Sequence, residues 1–150
     1  MISVCEEIQL RDALRRKGLK ATPRRLAVAG LLATTGRALT AETVHARLLP
    51  KLGRLGLQTV YRVLEELAEV GLLTRIERAD RLRCYAICRA ESNVHHHHIV
   101  CTDCGRVEVV DCIFPVGYRR RIERRTGFRV NGHSMQVAGV CPGCQERGGR

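Results

Sequence analysis

Two C-x-x-C pairs, Cys101-Thr-Asp-Cys104 and Cys141-Pro-Gly-Cys144, stand 36 residues apart in a chain of 150. No other feature constrains the fold as much. One Zn²⁺ takes four thiolates in a tetrahedron, and a two-residue gap lets a single tight turn present both sulfurs of a pair to it. Gly105 and Gly143 supply the backbone freedom such turns need. A lone pair could be a redox motif. Two pairs in a chain that reads as cytosolic make structural zinc the preferred assignment. Such a closed site has no open coordination position, so its expected role is stability rather than catalysis. The cytosolic expectation rests on the N-terminus, MISVCEEIQL, which lacks a basic stretch leading into an apolar one. It rests also on the want of any apolar run near the ~20 residues that span a bilayer. Cys5, Cys84 and Cys112 have no evident partner in the sequence and read as buried or incidental thiols.

Four consecutive histidines, His95 to His98, lead into the apolar stretch before Cys101. A strand points successive side chains to opposite faces, so one metal ion cannot collect all four. His96 and His98 share one face, for which the nearby thiol Cys88 is an obvious third ligand. His95 and His97 share the other, with His133 as the candidate third. The physical expectation is two sites, or one site with the remaining pair solvated. Neutral imidazoles suit zinc, iron and nickel alike.

The first eighty residues have a different texture. Thr22-Pro23 reads as a helix N-cap followed by Pro at the first helical position, Gly36 as its stop, and Thr40 as the cap of a short third helix. From Leu57 to Val70 the apolar residues Val60, Leu64 and Leu67 recur at helical spacing, widened by Val63 and Val70. Two extended stretches follow, Leu72–Glu77 and Leu82–Cys88, joined by polar residues 78–81. Helices followed by a β-hairpin are the plan of a winged helix, although helix order alone also fits an ordinary bundle. The formal charge of +11 favours a polyanionic partner, and a solvated basic surface would look the same. Beyond the hairpin, strands are expected over His95–Cys101, Arg106–Cys112 and Phe128–Val140, with a helix over Pro115–Arg125.

Three sets of residues make the chain similar to the ferric uptake regulator superfamily of bacterial metal sensors. They are Gly18-Leu19-Lys20-Ala21-Thr22-Pro23-Arg24-Arg25, Gln58-Thr59-Val60-Tyr61-Arg62-Val63-Leu64, and His95–Cys104 with Cys141–Cys144. The resemblance implies an α+β fold, with an N-terminal winged-helix DNA-binding domain over residues 1–84. A small α/β metal-binding dimerisation domain would follow over 85–150. It implies a homodimer on double-stranded operator DNA, with Cys101, Cys104, Cys141 and Cys144 on one structural zinc per chain. Tyr61 and Arg62 match recognition-helix positions that meet bases, Thr59 lies beside them, and Lys20 and Arg24 match positions near the DNA backbone or minor groove. A guanidinium can grip guanine edges, and lysine binds phosphate.

Within the superfamily, the iron and peroxide sensors place a histidine where this chain has Ala38. Tyr85-Ala86-Ile87-Cys88 instead resembles the hinge sequence of the zinc uptake regulators, and thiolate with imidazole suits zinc over Fe²⁺ or Mn²⁺. The expected regulatory zinc ligands are Cys88, His96 and His98. Thr74 stands where zinc regulators commonly carry Asp or His, so Glu77 or Asp80 would replace it, or the site has three protein ligands and water. The set His95, His97 and His133 would make a second regulatory site, for one or two such ions per chain. Glu108 and Asp111 lie near it in sequence. The expectation is therefore a zinc-dependent repressor of zinc uptake genes with no membrane partner and no small-molecule substrate beyond metal ions. An iron, manganese, nickel or peroxide sensor of the same family is the alternative. A zinc hydrolase or deaminase would need an open zinc position and a nearby general base. No His-x-Glu or His-Glu-x-x-His motif offers one, so the chain is not read as an enzyme.

Overall fold

A computed structural model describes residues 4–77, 82–88 and 95–148. The loop 78–81, with Asp80, and the side chain of Cys5 lie outside what is described. Helices α1 (Val4–Arg16), α2 (Pro23–Thr35), α3 (Ala41–Leu52) and α4 (Leu57–Glu69) form the N-terminal half. Their ends follow the local chemistry read above. Thr22 and Thr40 each accept, through the side-chain oxygen, the backbone N–H three residues on, at Arg25 and Thr43. Gly36 closes α2 in the left-handed conformation, at φ 62°. Leu14, Leu26, Leu32, Val44, Val60, Leu64 and Leu67 meet in one core.

Strand β1 (Leu39–Thr40), too short for periodicity to reveal, joins the hairpin β2 (Leu73–Glu77) and β3 (Arg83–Ile87) in a sheet ordered β1-β3-β2. This completes a winged helix. β3 is buried on both faces: Tyr85 packs into the helical core, while Cys84 and Ala86 pack with Ile76 of β2 and with Val100 from the second sheet. All five residues of β3 pair with β2, so the expected division between residues 84 and 85 falls inside a strand.

The second sheet, ordered β5-β4-β6, contains β4 (His96–Cys101), β5 (Val107–Asp111) and β6 (Gln136–Gly139). β4 runs antiparallel to β5 and parallel to β6. Two expectations need correction here. The stretch Phe128–Val140 is a strand only over Gln136–Gly139, because only those four residues pair with β4, from His98–Gln136 to Cys101–Gly139. The helix expected from Pro115 begins at Tyr118 (α5, Tyr118–Thr126), since Gly117 holds a left-handed φ of 84° at its N-cap. α5 buries none of its residues. A short α6 (Pro142–Gly148) grows out of the second cysteine pair.

The halves are joined by backbone as well as side chains. Ala38 N–H donates to the Gly105 carbonyl at 2.8 Å, and Arg37 bridges Arg106 in antiparallel fashion. The Gln136 side chain bonds both main-chain groups of Glu77, at 3.1 and 2.7 Å.

Candidate metal centres and nucleic-acid interface

Cys101, Cys104, Cys141 and Cys144 bring their sulfurs within 4.8 Å of one another. The Cys104 and Cys141 sulfurs are 3.7 Å apart, far beyond a disulfide and close to the edge of about 3.8 Å that tetrahedral Zn–S bonds generate. Cys141 N–H donates to Cys101 Sγ at 3.3 Å, the main reason that thiol is brought down to about 6. Burial pushes Cys144 up to about 12, against which Arg147 donates to its sulfur from 2.9 Å. The donor set and its closure fit a structural zinc.

Cys88, His96 and His98 form a second group, with Cys88 Sγ 3.3 Å from His96 Nε2. Cys88 lies just past β3 and its N–H bonds the Leu72 carbonyl, whereas both histidines lie on β4, so the group spans the two sheets. His98 carries a buried Nε2 that has no hydrogen-bond partner. Burying such an atom is costly unless something satisfies it, and a metal ion would. Burial, then the neighbouring His96 and His97, hold the His98 imidazole below its ordinary value, which favours the neutral ring a metal needs.

The structure does not bring Glu77 into this group. The hairpin register explains why: Glu77 pairs with Arg83, while Leu73 pairs with Ile87 beside Cys88. Glu77 therefore stands at the far end of β2, about 16 Å of strand away at ~3.3 Å per residue. Thr74 is near the correct end instead, its hydroxyl 3.4 Å from His98 Nδ1.

The opposite face of β4 holds a third group, His95, His97, His133 and Cys112. The Nε2 atoms of His95 and His97 are 3.2 Å apart, and His133 Nε2 is 2.9 and 3.0 Å from them. Cys112 Sγ is 3.3 Å from His133 Nε2, so it is not the incidental thiol expected from sequence. Its signal was register: His96 pairs with Asp111, so the next pair outward is His95 with Cys112, on one face. The Tyr118 hydroxyl contacts His133 Nδ1, and the Phe114 ring packs on the same imidazole at 4.3 Å. Partial burial, with His95 and His97 nearby, holds His133 below its ordinary value. Glu108 is ion-paired with Arg106 at 2.6 Å, and neither it nor Asp111 joins the cluster. Cys84 is buried in the core, as expected.

On the winged helix, Lys20, Arg24 and Arg62 are exposed, and Thr59 and Tyr61 half-buried. The Tyr61 hydroxyl donates to the Glu42 carboxylate, which lowers that carboxyl's protonation point and fixes the ring between α3 and α4. Arg62 is 3.8 Å from Glu66, and its side chain stays exposed. Glu66 is gripped at 2.9 Å by Arg25, which sets α2 against α4.

The profile of the Ferric uptake regulator family matches residues 16–138. The ferric uptake regulation protein of Legionella pneumophila is 37% identical over 142 residues, 93% of this chain and 98% of that protein. The peroxide-responsive repressor PerR of Staphylococcus epidermidis is 30% identical over 139 residues, 91% and 88% of the two chains. Among solved structures, a zinc uptake regulator complexed with zinc and DNA superposes with a TM-score of 0.78. It covers 99% of this chain and 100% of its own at 21% identity, a likeness of fold. The ferric uptake regulator of Vibrio cholerae gives 0.56 at 29% identity, covering 87% and 98%.

Proposed function

The chain belongs to the ferric uptake regulator family, and from its being a metal-responsive transcription regulator we propose that it is a zinc-gated repressor of zinc uptake genes. It would bind double-stranded operator DNA as a homodimer. The observation that carries the choice of metal is the hinge group: one thiolate and two imidazoles, with the orphaned Nε2 of His98 among them. That set is softer than Fe²⁺ or Mn²⁺ prefers. Ala38 bears on the same point, because its backbone is engaged with Gly105 and its methyl group offers no ligand where iron and peroxide sensors carry histidine.

Zn²⁺ held there supplies a cross-link between the winged helix and the second sheet. Cys88 anchors the β3 end through its bond to Leu72, and β4 carries His96 and His98 on one rigid strand. Whatever arrangement of the two halves this link favours is favoured for DNA too, and linkage then requires operator DNA to raise zinc affinity in return. Lys20 and Arg24 are placed for phosphate, Arg62 for a base edge. Dimerisation is supported by the exposed Ile113, Val116, Ile122, Phe128 and Val140, apolar surface that a lone subunit leaves in water.

The test uses a duplex selected from a random pool by the zinc-loaded protein, with binding read by fluorescence anisotropy across buffered Zn²⁺, Fe²⁺, Mn²⁺ and Ni²⁺. Zinc should drive binding at the lowest free concentration. Cys88→Ser should keep its structural zinc and remain dimeric yet lose the zinc dependence. Unchanged zinc dependence in that variant, or a preference for Fe²⁺, overturns the proposal.

A further inference from the structure

Helix α5 carries its arginines in a pattern that neither the metal clusters nor the winged helix uses. We propose that Arg120, Arg121, Arg124 and Arg125 form a second phosphate-binding surface. It takes the backbone of duplex DNA without regard to sequence and acts apart from Lys20, Arg24 and Arg62. The proposal does not depend on which metal gates the operator.

The positions make a ridge. Residues four apart on a helix lie one above the other, so Arg120 stacks with Arg124 and Arg121 with Arg125, in two adjacent columns. Tyr118 and Ile122 lie on the other side, where the Tyr118 hydroxyl reaches His133. Arg119 stands at the flank, near His133. All four ridge side chains are exposed, and none has an ion-pair or hydrogen-bond partner among the described residues.

Elsewhere the chain neutralises surface arginines. Arg11 pairs with Glu7 at 2.7 Å, Arg75 with Glu65 at 2.5 Å, and Arg106 with Glu108 at 2.6 Å. The one acid of α5 is Glu123, and its carboxylate accepts the backbone N–H of Val130 at 2.9 Å instead. Like charges at i, i+4 destabilise a helix, and Arg119, Arg120 and Arg121 crowd the N-terminal turn, where the helix dipole disfavours cations. A nine-residue helix that buries none of its residues has little packing to offset either effect. A row of anions laid along the ridge relieves both.

The chemistry selects a phosphate backbone over an acidic protein. A guanidinium pairs bidentately with phosphate. Protein interfaces are anchored at their centre by apolar or aromatic groups, and the ridge has none. Phosphate contacts need no such anchor and carry no sequence information. From Arg120 to Arg125 the helix rises about 7.5 Å, which spans about two to three phosphates of one strand at roughly 3.4 Å along the duplex axis.

The test uses the full-length, zinc-loaded protein carrying Lys20→Ala, Arg24→Ala and Arg62→Ala, so that the winged-helix contacts are already removed. Its binding to a fluorescent duplex of random sequence, read by anisotropy across salt concentrations, should persist. Replacing Arg120, Arg121, Arg124 and Arg125 together by Gln should weaken that binding at least about tenfold at low salt and reduce the salt slope by about 2–3. Replacing the same four by Lys should keep most of it, because the charge is retained. The Gln variant should melt no lower than its parent, since it sheds repulsion within α5. Poly-glutamate should not displace the duplex from the parent protein. No binding by the parent or the Lys variant, or affinity and slope unchanged by Gln, overturns the proposal. So does displacement by poly-glutamate, which would mark an acidic protein surface as the partner. A loss that appears only as the dimer dissociates in sedimentation would assign the ridge to a second copy of the chain, and overturns it too. Because the parent lacks the three winged-helix contacts and the duplex carries no operator, these failures are separate from any failure of zinc-dependent operator binding.

Discussion

His96 and His97 are adjacent residues on β4, yet their imidazoles belong to different clusters on opposite faces, one with Cys88 and one with Cys112 and His133. The two substitutions should therefore separate. His96→Ala is expected to abolish zinc-dependent operator binding while leaving the second cluster able to take metal, and His97→Ala should do the converse at the metal level. Metal content per chain, read by elemental mass spectrometry beside operator titrations, checks this. A single substitution that empties both clusters would mean that the sites are not distinct.

The four-cysteine site should be a folding element. Structural zinc contributes roughly 10–16 kcal/mol of binding free energy to small domains, far more than the marginal stability of a small sheet. Cys141→Ser is expected to lose one zinc per chain and to melt the second sheet at temperatures where the wild type is folded. Prolonged treatment with a strong chelator should reproduce it. Circular dichroism melts alongside zinc content measure both, and wild-type values in Cys141→Ser would contradict the assignment.

Arg62 and Lys20 should fail differently on DNA. Loss of a base-edge contact by Arg62→Ala is expected to cost about 1–3 kcal/mol and to relax preference at one position. Loss of a phosphate contact by Lys20→Ala should weaken all duplexes alike and reduce the salt slope of binding by about one. Affinity across a panel of single-base variants at two or more salt concentrations separates the two. Equal, sequence-independent losses would remove Arg62 from the base-reading role.

Glu65 ties α4 to the wing. It accepts from the Tyr85 hydroxyl at 2.5 Å and from Arg75, and those bonds, Tyr85 first, hold its carboxyl below the ordinary 4.5. A depressed folded-state value means the stabilisation is present above the unfolded value and is lost as pH falls through the folded one. Glu65→Gln should lower stability by about 1–2 kcal/mol at pH 7, and wild type and variant should converge at acid pH. Thermal melts between pH 7 and pH 3 read the difference, and a gap that stays constant with pH would contradict this origin.

Local chemistry made much of this legible. The caps at Thr22 and Thr40, the stop at Gly36 and the apolar stripe of α4 depend on neighbours within a few residues, and they stand where the pattern puts them. The separation of the histidines into pairs follows from strand alternation alone. What escaped depends on pairing between distant segments. Cys112 looked unpartnered because its place opposite His95 is set by the β4–β5 register, and Glu77 looked near Cys88 because the hairpin register was unread. Strand β6 is shorter than its β-branched composition suggests, because only Gln136–Gly139 find a pairing partner in β4.

The bond from Ala38 to Gly105 has a consequence for cooperativity. Gly105 sits in the turn directly after Cys104, at φ 71°, and a Cβ built there would meet the Ala38 carbonyl oxygen at 3.3 Å. The turn that presents Cys101 and Cys104 is therefore spliced to the segment that leads into β1 and α3. Melting of the Cys101–Cys104 knuckle and detachment of β1 are expected to form one unfolding unit rather than two. Removal of a metal held by the four cysteines would be felt at the base of the winged helix, so an ion held there would act as a keystone for both halves.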